Sequence, residues 1–487
     1  MPEASRRRRP ILRRLLIVAL LVVLTLILLP IDYEDEEHLR LKAEYLNELA
    51  AMPATSGRPS FAVVLFDDLG YGDLGAYGSR SVSTPHLDRL AREGMRFTHA
   101  YATSPYCSAS RAGLLTGRYP VRYGMDHVLQ APWSWPDLLL RLGRRHRRLP
   151  SHEITIAEAL SAAGYATAIF GKWHLGDHSP SLPRERGFDA FFGLHHSNDQ
   201  GKPVVWEDET IVEGHPIDQA TLTRRYTERA VDFLESRERG EPFFLYLPHT
   251  FPHVPLHVAG DRLGQSDGGL YGDVVEELDW SVGQVVAALR RRGLWNETLI
   301  LVTSDNGPWF QGSPGGVRGR KMGVFEGGMR VPLITSWPGL IRDSQGQVID
   351  GEPGRVIDDP VMGLDLFPTL LELAGLPLPE DRVIDGVGLY DRVTGPRETV
   401  HYYSIDRLHA VRQGRFKYHA RHRVLYGNPM NFPWGPFANR GPWLFDLETD
   451  PDESYDVTAR HPEVAARLRA LLHERIEQDR RNAAGWL

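Results

Sequence analysis

Asp67 and Asp68 stand side by side, and Asp305 and Asn306 form a second pair far along the chain. Both pairs offer only oxygen donors, which suits a hard cation. Three carboxylates gathered without one would repel and raise one another's pKa. Calcium fits this many protein oxygens, whereas magnesium usually keeps more water. Taken alone, each Asp is better explained as a helix cap or turn residue. Cys107 is the single cysteine. The spacing predicts a helix over 108–117, placing Cys107 at its N-terminus, where backbone N–H groups favour negative charge. Arg111, four residues on, projects to the same side. This reads as an anion-binding corner with a candidate nucleophile; the competing reading is an inert buried thiol. Lysine is scarce: Lys42, Lys172, Lys202, Lys321 and Lys417 are the only five among 56 Lys and Arg. A lysine kept inside a motif against that drift points to chemistry that Arg cannot replace. Lys172 and His174 lie two apart and share a face if the segment is extended.

Four apolar runs lead into these residues. Run 61–66 stops at Asp67, and run 298–303 stops just before Asp305. Run 165–170 leads to Lys172 and His174, and run 241–247 to Pro252-His253-Val254-Pro255, which favours His253 over His249. Short continuous apolar runs of this kind suit doubly buried strands. Helices are predicted between them, over 155–164 and over 271–291, where Val274, Leu278, Val282, Val285 and Leu289 make one stripe. The alternation predicts an α/β fold: a large mainly parallel or mixed sheet flanked by helices on both faces, with ligands beyond the carboxyl ends of the strands. Further on, a helix is predicted over 361–374, short strands over 399–404, 408–412, 416–419 and 443–446, and a last helix over 462–480.

A chain of 487 residues with 42% hydrophobic content predicts one large domain plus a smaller one and excludes a largely disordered protein. One cysteine excludes a disulfide framework, and a net charge of -7 argues against a nucleic-acid partner. Residues 6–14 carry six arginines, 15–29 are apolar apart from Thr25, and acids follow from Asp32. That is the charge layout of an export signal. No small-x-small cleavage site follows, so the reading is a signal anchor over 1–33, with the body outside the cytoplasmic membrane, in the periplasm, and tethered to it. A cleaved signal peptide is the alternative. Residues 34–57, with Leu39, Leu41, Tyr45, Leu46 and Leu49, are expected to form a stalk. The catalytic domain is expected over 58–395 and a C-terminal subdomain over 396–487. Loop 426–442 is expected to be ordered rather than a sugar platform.

Cys107-Ser108-Ala109-Ser110-Arg111, continued by Leu114-Leu115-Thr116-Gly117-Arg118, resembles the signature of type I sulfatases. Gly171-Lys172-Trp173-His174-Leu175-Gly176 is similar to the family's second block. Both acid pairs, Ser197 with Asp199-Gln200-Gly201, the His253 element, and Lys321 ahead of Glu326-Gly327-Gly328 also match. The resemblance spans about 58–460 and is closest to arylsulfatase A-like enzymes. Ala109 departs from the more usual Pro, and 133–149 looks inserted. The resemblance implies hydrolysis of a sulfate ester, carried by a small molecule or a sulfated glycan. It implies Cys107 oxidised to Cα-formylglycine by a separate formylglycine-generating enzyme. Ca2+ would be held by Asp67, Asp68, Asp305, Asn306 and residue 107. Arg111 and Lys172 would stabilise the modified residue's oxyanion, and His174 would be the base. Lys321 and His253 would bind sulfate and protonate the departing oxygen, with Ser197 donating a hydrogen bond. The C-terminal part resembles the family's smaller domain, an antiparallel sheet with a packed helix. A phosphate- or phosphonate-ester hydrolase of the same superfamily is the nearest alternative, and an inactive glycan-binding relative the more distant one.

Overall fold

The computed structural model describes residues 34–53, 57–142, 146–338, 354–390, 397–424 and 438–487, with short stretches between 13 and 25, at 341–342 and at 348–350. Residues 426–437 of the expected loop 426–442 lie outside the described residues, while Ala438–Arg440 pairs antiparallel with His422–Val424; most of the expected anchor also lies outside them. Among the described residues no helix is long and apolar enough to cross a membrane.

Eleven strands form one mixed sheet among the described residues. Its centre is β1 (Ser60–Phe66), with β8 (Thr298–Ser304) on one side and β7 (Phe243–Pro248) on the other, both parallel to it. Next to β7 come β3 (Ala166–Lys172) and β4 (Ala190–Leu194), again parallel. Beyond β4 lie β5 (Val205–Glu207) and β6 (Thr210–Glu213), antiparallel. On the other flank β9 (Arg330–Ser336) runs antiparallel between β8 and β2 (Met95–Tyr101). The carboxyl ends of β8, β1, β7 and β3 are therefore neighbours on one edge.

Side-chain alternation explains why these runs are apolar throughout. Phe61, Val63 and Leu65 of β1 join one core with Ile169, Tyr246, Leu299 and Leu301. Ala62, Val64 and Phe66 join the opposite core with Phe170, Leu245, Leu247 and Val302. Each face then needs its own helical cover.

Helix α1 (Glu36–Ala51) buries His38, Lys42, Tyr45 and Leu49, a single helical stripe. The expected stalk is thus a helix seated on the catalytic body, and its seam is partly polar, which apolar spacing alone does not reveal. On the first core pack α3 (Cys107–Thr116), α5 (Ile156–Ala162) and α8 (Leu366–Leu373). On the second pack α2 (Pro85–Glu93), α6 (Leu222–Glu235) and α7 (Gly269–Arg291). Helix α4 (Trp135–Leu142) leaves Trp135 and Leu139 exposed. Thr155 and Glu158 close a capping box at the start of α5. The helix expected over 361–374 begins only at Leu366, because Val361 and Met362 pair with β2 and a 3-10 turn comes next.

The C-terminal part is an antiparallel sheet of β10 (Thr399–Ser404), β11 (Arg407–Gln413), β12 (Phe416–His419) and β13 (Trp443–Asp446) in that order. Helix α9 (Pro462–Arg481) covers it through Val464, Ala465, Leu468 and Leu472. Tyr101, Tyr119 and Met362 of the larger part enter this core, so the two parts share apolar contacts.

Candidate active site

Strand β1 delivers Asp67 and Asp68 just past its end, and β8 delivers Asp305 and Asn306 beside them. The ladder continues just far enough to hold them: Asp305 N–H donates to Phe66 O at 3.0 Å, and Asp67 N–H to Phe251 O at 3.2 Å. Asp68 sits at φ 67°, a left-handed conformation that costs a non-glycine residue energy and recurs at functional sites. All four side chains are buried.

Cys107 opens α3, a helix buried along its whole length and stopped by Gly117 at φ 70°. Its Sγ lies 3.5 Å from Asp67 Oδ1, 3.9 Å from Asp68 Oδ1 and 3.1 Å from Lys321 Nζ. One turn on, Arg111 donates through Nε to Asp305 Oδ2 at 3.0 Å and through a terminal nitrogen to Lys172 O at 2.7 Å. Lys172, the last residue of β3, donates to Asp67 Oδ2 at 2.5 Å and to Ser197 Oγ at 3.1 Å. Lys321 reaches Asp68 at 2.7 Å. Three carboxylates thus meet three cations.

The charges distort one another. Burial alone would raise the Asp67 carboxyl, but Lys172 and Arg111 hold it well below the usual range. For Asp305, burial and the Asp67 charge prevail and push it up to about 6. Burial pushes the Cys107 thiol well above its usual value, and Lys172 and Lys321 do not overcome that. The N-terminal helix position expected to favour a thiolate is outweighed here by desolvation.

Two histidines join the cluster. His174, at φ 60°, bonds Leu129 O through Nε2 at 3.0 Å. A carbonyl only accepts, so Nε2 carries the proton and buried Nδ1, unpartnered among the described residues, keeps its lone pair. Burial, then Lys172, hold this ring well below ordinary imidazole basicity, hence neutral. His253 bonds Val254 O through Nδ1 and turns Nε2 toward Asp68 Oδ2 at 3.7 Å. His249 instead bonds Ser281 and stacks on Phe66, inside the core.

The donor set fits a cation. Asp67, Asp68, Cys107 and His253 each present a ligand atom within 4.8 Å of the others. Asn306 Oδ1 is buried without a partner among the described residues, an acceptor lacking a donor. Carboxylate and amide oxygens select a hard ion.

Every residue to which the sequence assigns a role therefore falls in or against one cluster. Sequence reasoning misses Leu129, because it acts through a backbone carbonyl and leaves no side-chain signal. Beside Ser197 opens a cavity of about 540 Å³ lined in part by Trp133, Asp177, His196, Gln200, Lys202 and Trp206.

Residues 59–376 match the Sulfatase family, and 395–482 match the C-terminal region of aryl-sulfatase. Arylsulfatase A of Bos taurus is 37% identical, covering 86% of this chain and 87% of that protein. Steryl-sulfatase of Rattus norvegicus is 32% identical over 90% and 92% of the two chains. Human N-acetylgalactosamine-6-sulfatase is 33% identical over 88% of each. Among solved structures, a Pseudoalteromonas sulfatase superposes with a TM-score of 0.73 at 27% identity, covering 92% of this chain and 95% of that one. The phosphonate monoester hydrolase of Agrobacterium radiobacter shares the fold, with a TM-score of 0.58, 20% identity, and 86% and 96% coverage.

Proposed function

The chain belongs to the sulfatase family and is a sulfuric ester hydrolase, and from that premise we propose a formylglycine at position 107 working beside a calcium ion. The observation that carries this reading is the Cys107 side chain, fixed on a buried helical turn within 3.9 Å of both Asp67 and Asp68 and 3.1 Å from Lys321. Hydrated formylglycine supplies an oxygen nucleophile regenerated in each turnover, and calcium supplies charge that offsets sulfate and nucleophile oxygens.

The chain's own residues divide the remaining work. Asp67, Asp68, Asp305 and Asn306 hold the ion with residue 107. Arg111 and Lys172 face residue 107 with fixed positive charge and stabilise its oxyanion. His174 takes the proton at Nδ1 that triggers sulfate release, since Nε2 is committed to Leu129 O. Lys321, kept an ammonium by Asp68, and His253 bind the sulfate and protonate the departing alcohol oxygen. Ser197 donates to a sulfate oxygen, and the cavity beside it houses the alcohol portion of a small-molecule or glycan ester. A formylglycine-generating enzyme is the required partner. The arginine run 6–14 and the apolar run 15–29 support a body outside the cytoplasmic membrane, tethered by the N-terminal segment.

Mass spectrometry of the peptide containing residue 107 tests the modification: an aldehyde is expected, and an intact thiol in active enzyme overturns the reading. EGTA should abolish turnover of an aryl sulfate, with calcium restoring it better than magnesium. A clear preference for the matched aryl phosphate would instead favour phosphate-ester hydrolysis.

A further inference from the structure

Lys321 lies in a loop, 318–327, that belongs to the large domain yet is gripped by the small one. On one flank Arg318 donates to Glu453 O at 2.9 Å and lies over the Phe325 ring at 4.3 Å. On the other flank Glu326 N–H donates to Glu453 Oε2 at 2.6 Å. Lys417 of β12 donates to Val324 O at 2.9 Å and to Glu326 Oε1 at 2.9 Å, and lies 3.1 Å from Glu453 Oε1. His419, two residues on and on the same strand face, bonds Glu453 Oε1 at 2.7 Å and stacks on Phe325 at 4.8 Å. Lys417, His419 and Glu453 are all fully buried.

The loop between these pins is not relaxed. Met322, next to Lys321, sits at φ 74°, and Glu453 at φ 54°. Such conformations persist only where the surroundings over-determine them. Burying a lysine with two glutamates is likewise a poor route to stability, because desolvation offsets most of the attraction. The cluster pins three residues before and three after the lysine whose Nζ touches Cys107 Sγ.

We infer that Glu453, Lys417 and His419 are positioning residues for Lys321, so that the C-terminal domain, of which no described residue enters the catalytic cluster, sets the reach of one of its proton donors. This rests on the role assigned to Lys321 above. It also accounts for a lysine at position 417 in a chain that otherwise favours arginine. A compact ammonium can serve a carbonyl and two carboxylates in one small buried space, which a guanidinium fork cannot.

The test is a double-mutant cycle in the full chain, read as kcat and KM on an aryl sulfate, with melting temperature alongside. Glu453→Ala should lower kcat ~30- to 100-fold with little change in KM, the scale of a misplaced proton donor. Glu453→Gln, which keeps an acceptor for Glu326 N–H, should recover most of that loss. In a Lys321→Ala background, Glu453→Ala should lower kcat no further. Equal losses in both backgrounds, or a kcat unchanged by Glu453→Ala, would overturn the inference. Undiminished turnover by Lys321→Ala alone would instead overturn the role of Lys321. If Glu453→Ala does not fold, Arg318→Ala, at a half-buried position, tests the same coupling from the other pin.

Discussion

Asp67 and Asp68 each have their own ammonium, Lys172 and Lys321 respectively, and the two lysines are not interchangeable with arginine. A guanidinium is a planar fork, and its rigid geometry does not fit the compact space in which the Lys321 ammonium reaches Asp68 at 2.7 Å and Cys107 Sγ at 3.1 Å. Lys321→Arg is therefore expected to cut kcat by ~100-fold or more while leaving KM within a few-fold, and steady-state assays on an aryl sulfate will show it. His174→Ala has a different signature. With His174 as the base of the proposed second step, the first half of the reaction proceeds without it, so about one equivalent of alcohol should appear in a burst. The enzyme should then stall with a sulfuryl group retained on residue 107, visible as added peptide mass. A variant that is slow from the first turnover, with no retained group, would assign His174 elsewhere. At this scale the sequence is informative because residue type sorts with place: the oxygen-donor residues Asp67, Asp68, Asp305 and Asn306 and two of the five lysines, Lys172 and Lys321, meet in one buried cluster. It is silent where a backbone atom does the work, as Leu129 O does for His174, and where partners lie far apart in sequence, as Lys417 and Glu453 do from Lys321.

Strand ends carry the site because parallel strands in register bring their C-termini to one edge. Phe66 pairs with Ser304 and Leu65 with Pro248 in the ladder, so the residues just past each strand are automatically adjacent. That edge is legible from four apolar runs. Their order is not, since it depends on crossovers that no local pattern encodes. Nor is the late start of α8, where tertiary pairing of Val361 with β2 overrides helical propensity. One glycine in this edge is irreplaceable. Gly171 sits at φ 140°, and a Cβ there would come 1.9 Å from Pro248 O, a clash with the backbone of the neighbouring strand. Gly171→Ala should destabilise the protein by about 2–4 kcal/mol through strain and overpacking. Because Lys172 is the next residue, kcat should fall too. Thermal unfolding and turnover measured on the same preparation check this, and a variant with wild-type melting temperature would mean that β3 and β7 move apart more readily than their packing suggests.

On the scale of the whole molecule, the catalytic sheet is braced from both ends of the chain. The C-terminal domain grips the Lys321 loop, and α1, from the opposite end of the sequence, docks near α5. Apolar spacing in α1 suggests a free stalk because its decisive contacts are polar: Lys42 donates to Glu158 at 2.5 Å and to the carbonyls of Ser151 and Glu153. Just ahead of the helix, Glu34 pairs with Arg148 at 2.7 Å and accepts from Ser151 N–H and Oγ. Burial alone would raise the Glu34 carboxyl, but His152, Ser151 and Arg148 together bring it down to about 2. A carboxyl lowered on folding adds stability that is complete above its ordinary value near 4.5 and disappears as pH falls from there toward 2. Glu34→Gln should then loosen the docking of α1 by about 1 kcal/mol at pH 7, a figure kept small because the pair is partly open to solvent. Hydrogen exchange of residues 36–51 reads this directly. The difference between the two proteins should shrink steadily as pH falls below 4.5. A difference of undiminished size at pH 2.5 would show that Glu34 acts through its shape rather than its charge. No difference at pH 7 would show that Lys42 and Tyr45 alone secure the helix.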